Sequence, residues 1–136
     1  MLQRTKFKII IYALFFSLAI ILLSFWIYFS LAQTRDYQRL ADLKIWQDIL
    51  NRHYMNYGTY QKNNCDNGKL LSSCWEDYYG RFRINNINDP INSGNYRYVV
   101  GGLGVDDYQI NFSLEAGIGG LRRGNYILTK NGVKID

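Results

Sequence analysis

The chain has 136 residues, enough for one domain with little left for a second. Its formal net charge is +5, but Arg4, Lys6 and Lys8 supply three of these charges. Residues 33–136 carry 13 basic and 11 acidic side chains. This balance excludes the large basic surface with which a nucleic-acid-binding protein neutralises phosphates. One His, two Glu and two Cys also argue against an enzyme.

Residues 9–32 form a run of 24 residues without a charged side chain, which we call the apolar run. As a helix it would be about 36 Å long, enough to cross the hydrocarbon core of a membrane. A cleaved signal peptide is the alternative, because Ser30-Leu31-Ala32 has the small residues of a cleavage site. The apolar part of a signal peptide is usually shorter, roughly 7–15 residues. We therefore expect a transmembrane helix at 9–32, after a short basic flank at 1–8.

The predicted helix continues over residues 33–57, which contain neither Gly nor Pro. Apolar and aromatic side chains recur there at steps of three and four, which places them on one stripe of the helix. A coiled coil is the alternative, but the stripe lacks a clean heptad pattern. Six stripe residues are therefore expected to pack the helix against a sheet: Leu40, Leu43, Trp46, Leu50, Tyr54 and Tyr57. His53 lies among them, and helix packing is favoured there over a ligand or a general base.

Residues 58–95 are rich in Asn, Asp, Gly and Ser, a composition typical of loops. The two cysteines, Cys65 and Cys74, are separated by eight residues, a spacing compatible with a small disulfide-closed loop. Such a bridge would contribute roughly 2–3 kcal/mol in the chain-entropy model. It would also place residues 33–136 in an oxidising compartment. Two reduced thiols are the alternative.

Residues 96–136 are predicted to form an antiparallel sheet of three or four short strands. Apolar and polar side chains alternate from Tyr108 to Leu114, the pattern of a half-buried strand. Asn131-Gly132 predicts a hairpin with a type I′ turn between the last two strands. The other predicted strands are 96–100, 125–129 and 133–135. A long helix laid on a small antiparallel sheet gives an α+β fold.

Three short motifs follow one another in this plan. The helix contains Arg35-Asp36 and Arg39-Leu40-Ala41-Asp42-Leu43-Lys44, then Leu50, Tyr54 and Gly58-Thr59-Tyr60. The loop before the sheet contains Asn88-Asp89-Pro90 and Ser93-Gly94-Asn95-Tyr96. A central strand runs from Tyr108 to Glu115. In order and spacing, these motifs resemble those of type IV pilins and of the pseudopilins of type II secretion systems.

The resemblance implies a pilin-like fold and a structural function. The chain would be a subunit or accessory of a type II secretion, type IV pilus or DNA-uptake apparatus, assembling through its helix. Its partners would be the membrane and either copies of itself or other pilin-like subunits. It would cross the inner or cytoplasmic membrane once, with residues 33–136 outside the cytoplasm. No enzymatic activity, cofactor or nucleic-acid partner is predicted.

The N-terminus departs from the family pattern. Prepilins have Gly immediately before the cleavage point and Glu at the fifth mature position. With Phe7 as the first mature residue, Lys6 and Ile11 stand at these two positions, and residues 1–35 contain no carboxylate. A permanently anchored relative of the pilins is therefore one expectation. A monomeric anchored module that recruits a ligand through its aromatic-rich loop is the alternative function.

Three other groups of residues are candidates for a site. Asp106 and Asp107 could contribute to a calcium site of the kind that major pseudopilins hold, but calcium needs six or more oxygens and no metal site is predicted. Arg122-Arg123 is expected in a solvated turn. A hydrolase is the third hypothesis and would use three acidic residues: Glu76, Asp77 and Asp89.

Overall fold

The computed structural model describes residues 2–75, 78–79, 82–84 and 87–136. The chain forms two compact units, one that ends at Ala32 and one that comprises Gln33–Asp136. We call the second unit the head. A helix, α1 (Leu2–Tyr57), supplies the first unit and the first element of the head.

The first unit is helical throughout its described length. Its large apolar side chains from Ile10 to Leu31 are exposed, for example Phe15 at 68% and Trp26 at 66%. The hydroxyl groups of Ser17 and Ser24 donate hydrogen bonds to backbone carbonyls one turn earlier in the same helix, so they need no partner outside it. By length and composition, this segment belongs to the one helix, among the residues described, that could span a membrane.

In the head, the second half of α1 packs on a four-stranded antiparallel sheet, which confirms the predicted α+β fold. The four strands lie side by side in the same order as in the sequence. Their bounds are β3 (Val99–Leu103), β4 (Tyr108–Ile118), β5 (Leu121–Thr129) and β6 (Gly132–Ile135). This sheet is a meander in which each strand pairs with its neighbour in the chain.

The connection between helix and sheet contains more structure than the predicted loop. It has a 3₁₀ turn (Leu71–Cys74) and a short hairpin of β1 (Tyr78–Tyr79) and β2 (Phe82–Arg83). Backbone hydrogen bonds join its segment 68–71 to the free edge of β3. Cys65 and Cys74 form the predicted disulfide, with Cα atoms 5.1 Å apart. The bridge therefore closes a loop that runs along the edge of the sheet.

The hairpin between β5 and β6 is present, but its turn differs from the predicted one. Thr129 pairs with Gly132, so Lys130 and Asn131 occupy the turn, and neither has a positive φ. Only Gly132 does, with φ 114°. The Thr129 hydroxyl accepts a hydrogen bond from the Asn131 N–H, which stabilises this local arrangement. The type I′ prediction is therefore wrong.

The core of the head lies between α1, the sheet and the connecting segment. Leu43, Trp46 and Leu50 are buried in it, and Leu40 and Tyr54 are partly buried against it. Tyr57 was also predicted to pack there, and that prediction is wrong, because 68% of its surface is exposed. As the last residue of the helix, Tyr57 contacts the ring of His53 instead, with ring centres 4.6 Å apart.

Candidate functional site

Charged side chains meet in the buried interior of the head, where the helix, the connecting segment and the sheet come together. Asp36 and Arg39 are completely buried, and Asp89 is 3% exposed. Apart from the neighbouring pair Asp36 and Arg39, the bonded partners lie 50 to 81 residues apart in the sequence. We call this group the charge cluster; it comprises Arg35, Asp36, Arg39, Asp89 and Glu115.

Arg39 is the centre of the charge cluster. Its guanidinium donates two hydrogen bonds to the Asp89 carboxylate, at 2.5 and 3.0 Å. Nη1 lies 2.7 Å from both Asp36 Oδ1 and Glu115 Oε1, and the ring of Tyr96 covers the group with its centre 4.8 Å from Cζ. Burial alone would lower the pKa of Arg39, but the three carboxylates raise it above its ordinary value. The guanidinium is therefore held in its charged form.

Asp36 joins the helix to the backbone of β4. Its carboxylate accepts hydrogen bonds from the N–H groups of Glu115, Ala116 and Gly117 at 2.8 to 3.0 Å. Burial would raise the pKa of Asp36, but these donors and Arg39 hold it below the ordinary value. Gly117 has φ 87°, and a Cβ there would lie 2.5 Å from the Leu121 carbonyl oxygen. Only glycine permits the chain to present its N–H groups in this way.

Glu115 and Asp89 make the remaining hydrogen bonds of the charge cluster. Arg35 donates two hydrogen bonds to the Glu115 carboxylate at 2.6 and 2.8 Å, and these, together with Arg39, lower its pKa despite partial burial. Asp89 Oδ1 also accepts hydrogen bonds from the N–H groups of Ile91 and Asn92. That local turn fixes the loop that leads into the sheet. The charge cluster thus links the helix, the loop and β4.

Another carboxylate, the half-buried Asp42, lies one turn further along the helix. The Tyr98 hydroxyl donates a hydrogen bond to Asp42 Oδ2 at 3.0 Å. Burial raises the pKa of Asp42 to about 6, against the effect of this hydrogen bond and with a contribution from the nearby negative charge of Asp89. Burial also raises the pKa of Tyr98. Asp42 is therefore the carboxyl group whose charge changes closest to neutral pH among those with a shifted pKa.

The charge cluster is suited to holding the helix, the loop and β4 together. Asp36 and Arg39 have no exposed surface, and each oxygen of the Asp89 carboxylate already accepts a hydrogen bond. Asp89 was one of the three acidic residues of the hydrolase hypothesis, and here it holds Arg39 and its own loop. The other two, Glu76 and Asp77, lie outside the described residues.

The remaining candidates have local roles. His53 is 6% exposed, and its Nε2 lies 3.1 Å from the Gln61 carbonyl oxygen. Asp107 accepts a hydrogen bond from the N–H of Tyr108, and the Lys130 ammonium donates one to the Asp106 carbonyl. Among the described residues, no group of three His, Cys, Asp or Glu side chains could hold a metal ion.

Most residues of the charge cluster belong to the motifs noted in the sequence, but their meeting in one place was not predicted. A signal was present, because Asp36 and Arg39 continue the spacing of three and four residues that leads to Leu43, Trp46 and Leu50. Charged residues on the apolar stripe of a helix must find buried partners. What the spacing does not give is the identity of those partners.

No protein-family model, no curated protein and no solved structure matches the chain. The charge cluster is therefore interpreted from the residues of this chain alone.

Proposed function

We propose that the chain is a membrane-anchored, pilin-like or pseudopilin-like structural subunit or accessory that assembles through its helix. The apparatus would be a type II secretion, type IV pilus or DNA-uptake system. The observation that carries the proposal is the meeting of the family-like motifs in one place. In the buried charge cluster, Arg39 of the helix motif pairs with both Asp89 of the Asp-Pro motif and Glu115 of the central strand.

The apolar run supports the anchoring part of the proposal. Its side chains between Ile10 and Leu31 are exposed in the isolated chain, which is unfavourable in water. Lipid tails or the helices of sister subunits would cover them. The disulfide between Cys65 and Cys74 supports a head outside the cytoplasm, because such bonds persist in oxidising compartments. Both observations support the proposal that the chain crosses the inner or cytoplasmic membrane once.

The charge cluster supports the structural part of the proposal. In an assembly that repeats through helix packing, each head must keep a fixed position on its own helix. Hydrophobic packing alone is not directional, whereas the bonds from Arg39 and Asp36 act along defined directions to the loop and to β4. Buried ionic groups can specify one arrangement in this way. The cluster would thus transmit a load from the head to the helix.

Crosslinking in membranes tests the assembly. Ser17 and Ala19 are exposed and lie about 200° apart around the helix, so cysteines at both positions present two faces of the apolar run. With a bismaleimide, the double variant Ser17→Cys/Ala19→Cys should give a ladder of dimers, trimers and larger species. The matched single variant Ser17→Cys can give only dimers. Monomer alone from both variants, in a chain that remains in the membrane, would reject the proposal.

The alternative, a monomeric anchored module that recruits a ligand or a protein partner, is favoured by one surface feature. His53, Tyr57, Thr59 and the segment 61–63 line a shallow groove beside the helix end. The exposed ring of Tyr57 lies in that groove, whereas the described tryptophan of the aromatic-rich loop, Trp75, is buried. Under this alternative, the crosslinking experiment gives no ladder, and Tyr57→Ala weakens recruitment of the partner.

A further inference from the structure

The hairpin that joins β4 and β5 carries exposed positive charge at one end of the head. Its turn consists of Gly119 and Gly120, which lie between the paired residues Ile118 and Leu121. Arg122 and Arg123 follow at once, and both are exposed. We call residues 117–123 the hairpin tip.

The contacts of β4 define which end of the head the hairpin tip occupies. Tyr108, the first residue of β4, packs against Tyr60 just beyond the end of α1, with ring centres 4.9 Å apart. Gly117, near the last residue of β4, donates a hydrogen bond to Asp36 near the start of the head. The strand therefore runs antiparallel to the helix. The hairpin tip lies at the end of the head where Gln33 begins.

Arg122 and Arg123 differ from Arg35 and Arg39, the two helix arginines at the same end of the head. Arg35 and Arg39 are paired with carboxylates of the charge cluster. Within the described part of the chain, no carboxylate forms an ion pair with Arg122 or Arg123. Their backbone position is fixed, because Asp36 holds the opposite strand and the Tyr126 hydroxyl donates a hydrogen bond to the Arg122 carbonyl. Exposed guanidinium groups with no carboxylate partner among the described residues are well suited to anionic oxygens.

We propose that the hairpin tip binds anionic lipid headgroups at the membrane surface. This inference rests on the proposed anchoring of the apolar run. Gln33 follows that run directly, and Asp36 is only about 4.5 Å further along the helix axis. The electrostatic attraction of an anionic membrane extends over about 10 Å at 0.1 M salt, which includes a hairpin bonded to Asp36. Arginine forms paired hydrogen bonds with phosphate groups, and a turn of two glycines presents no side chain that would keep the backbone from the surface.

Hydrogen exchange of the full chain in lipid nanodiscs tests the proposal. One set of discs contains phosphatidylcholine only, and the other also contains about one third phosphatidylglycerol. We expect the exposed amides of residues 118–123 to exchange more slowly in the anionic discs, by roughly fivefold for each arginine that contacts the surface. High salt should remove the difference.

Two charge variants make the test specific. Arg122→Gln/Arg123→Gln should abolish the difference between the two kinds of disc. Lys130→Gln/Lys134→Gln removes the same charge from the β5–β6 hairpin, beside Asp106 at the opposite end of β4, and should leave the difference intact. Equal exchange of the hairpin tip in both discs, from a chain that stays in the disc, would overturn the lipid proposal alone. Failure of the chain to enter either disc would overturn the anchoring, and the lipid proposal with it.

Discussion

Arg39 is the residue on which the interior of the head depends most. Burying a guanidinium is costly unless it is paired and hydrogen-bonded, and here carboxylates from three separate parts of the chain surround it. Removing the guanidinium would leave Asp36, Asp89 and Glu115 close together without their shared cation. The cost of that change exceeds the net contribution of the ion pairs themselves, because buried carboxylates would remain unpaired.

We therefore expect Arg39→Met to lower the free energy of unfolding of the head by about 3–5 kcal/mol. Arg35→Met, four residues earlier on the same helix, should cost about 1 kcal/mol or less, because Arg35 is partly exposed and Glu115 keeps its bond to Arg39. Urea unfolding of the full chain in detergent, followed by circular dichroism, measures both values. Similar small losses in the two variants would show that the cluster adds little to stability.

Asp42 makes the stability of the head depend on pH. Its pKa is about 6 in the folded chain, above the ordinary value of 3.8, so folding favours the protonated form. The stability that this proton provides is fully present below pH 3.8 and is lost as the pH rises through 6. We expect the melting temperature to fall between pH 4.5 and pH 7.5. Asp42→Asn should remove most of that fall, which corresponds to about 1–3 kcal/mol.

The effect of Asp42 on stability can be distinguished from that of the charge cluster, because the two act in different pH ranges. The pKa values of Asp36 and Glu115 are lowered, so their contribution is present above their ordinary pKa values and is lost only under more acidic conditions. Asp48→Asn, an exposed change on the same helix, is the matched control and should retain the pH dependence of the wild type. A wild-type melting temperature that does not change between pH 4.5 and 7.5 would contradict the assignment to Asp42.

At the scale of the elements, local patterns predicted the helix and most of the sheet. Alternation placed β4 correctly at its start, but β4 continues to Ile118, four residues beyond the alternating run. In that extension, N–H groups of the strand donate hydrogen bonds to Asp36 on the helix. A pattern of neighbouring residues in the strand cannot predict this long-range contact. β3 was predicted at 96–100 and lies at Val99–Leu103. Its glycines conceal the strand, and a Cβ at Gly101 would lie 2.9 Å from the end of the Asn111 side chain, which would have to shift.

The site was less predictable than the fold for a physical reason. Each contact of the charge cluster except the one between Asp36 and Arg39 joins residues at least 50 positions apart. Hydrophobic periodicity describes which face of an element is buried, but it does not say which elements face one another. The burial of Asp36 could be anticipated from its place on the stripe. Its three backbone donors could not, because they depend on the bulge in β4 near Gly117.

Leu50 tests the packing of the helix on the sheet. It is completely buried, so Leu50→Asp would place an unpaired carboxylate in the core, and we expect a loss of at least about 4 kcal/mol and an unfolded head. Met55→Asp, near the end of the same helix, changes a side chain that is 83% exposed and should cost less than about 1 kcal/mol. Thermal unfolding distinguishes the two. A folded Leu50→Asp variant with an unchanged melting temperature would defeat the helix-on-sheet arrangement.

At the scale of the whole molecule, the two units have opposite surface properties. The head contains the entire hydrophobic core cluster, from Leu43 to Leu128, and carries nearly balanced charge. The first unit presents exposed apolar side chains and depends on an environment that covers them. The head is thus built around a core of its own, and the apolar run would serve for attachment and assembly.

The intact mass of the chain extracted from its own membranes tests that division. We expect a species that retains the apolar run and gains about two daltons on reduction, as the disulfide between Cys65 and Cys74 takes up two hydrogens. The variant Cys65→Ser/Cys74→Ser should show no change on reduction. Loss of roughly the first six residues would mean that a prepilin peptidase accepts Lys6 before the cleavage point, which would strengthen the proposal of a pilin-like subunit. A mass equal to residues 33–136 alone would mean that the apolar run is a cleaved signal peptide. Both anchored models would then fail, because the released head would have lost its anchor. The core of the head lies wholly in that released part.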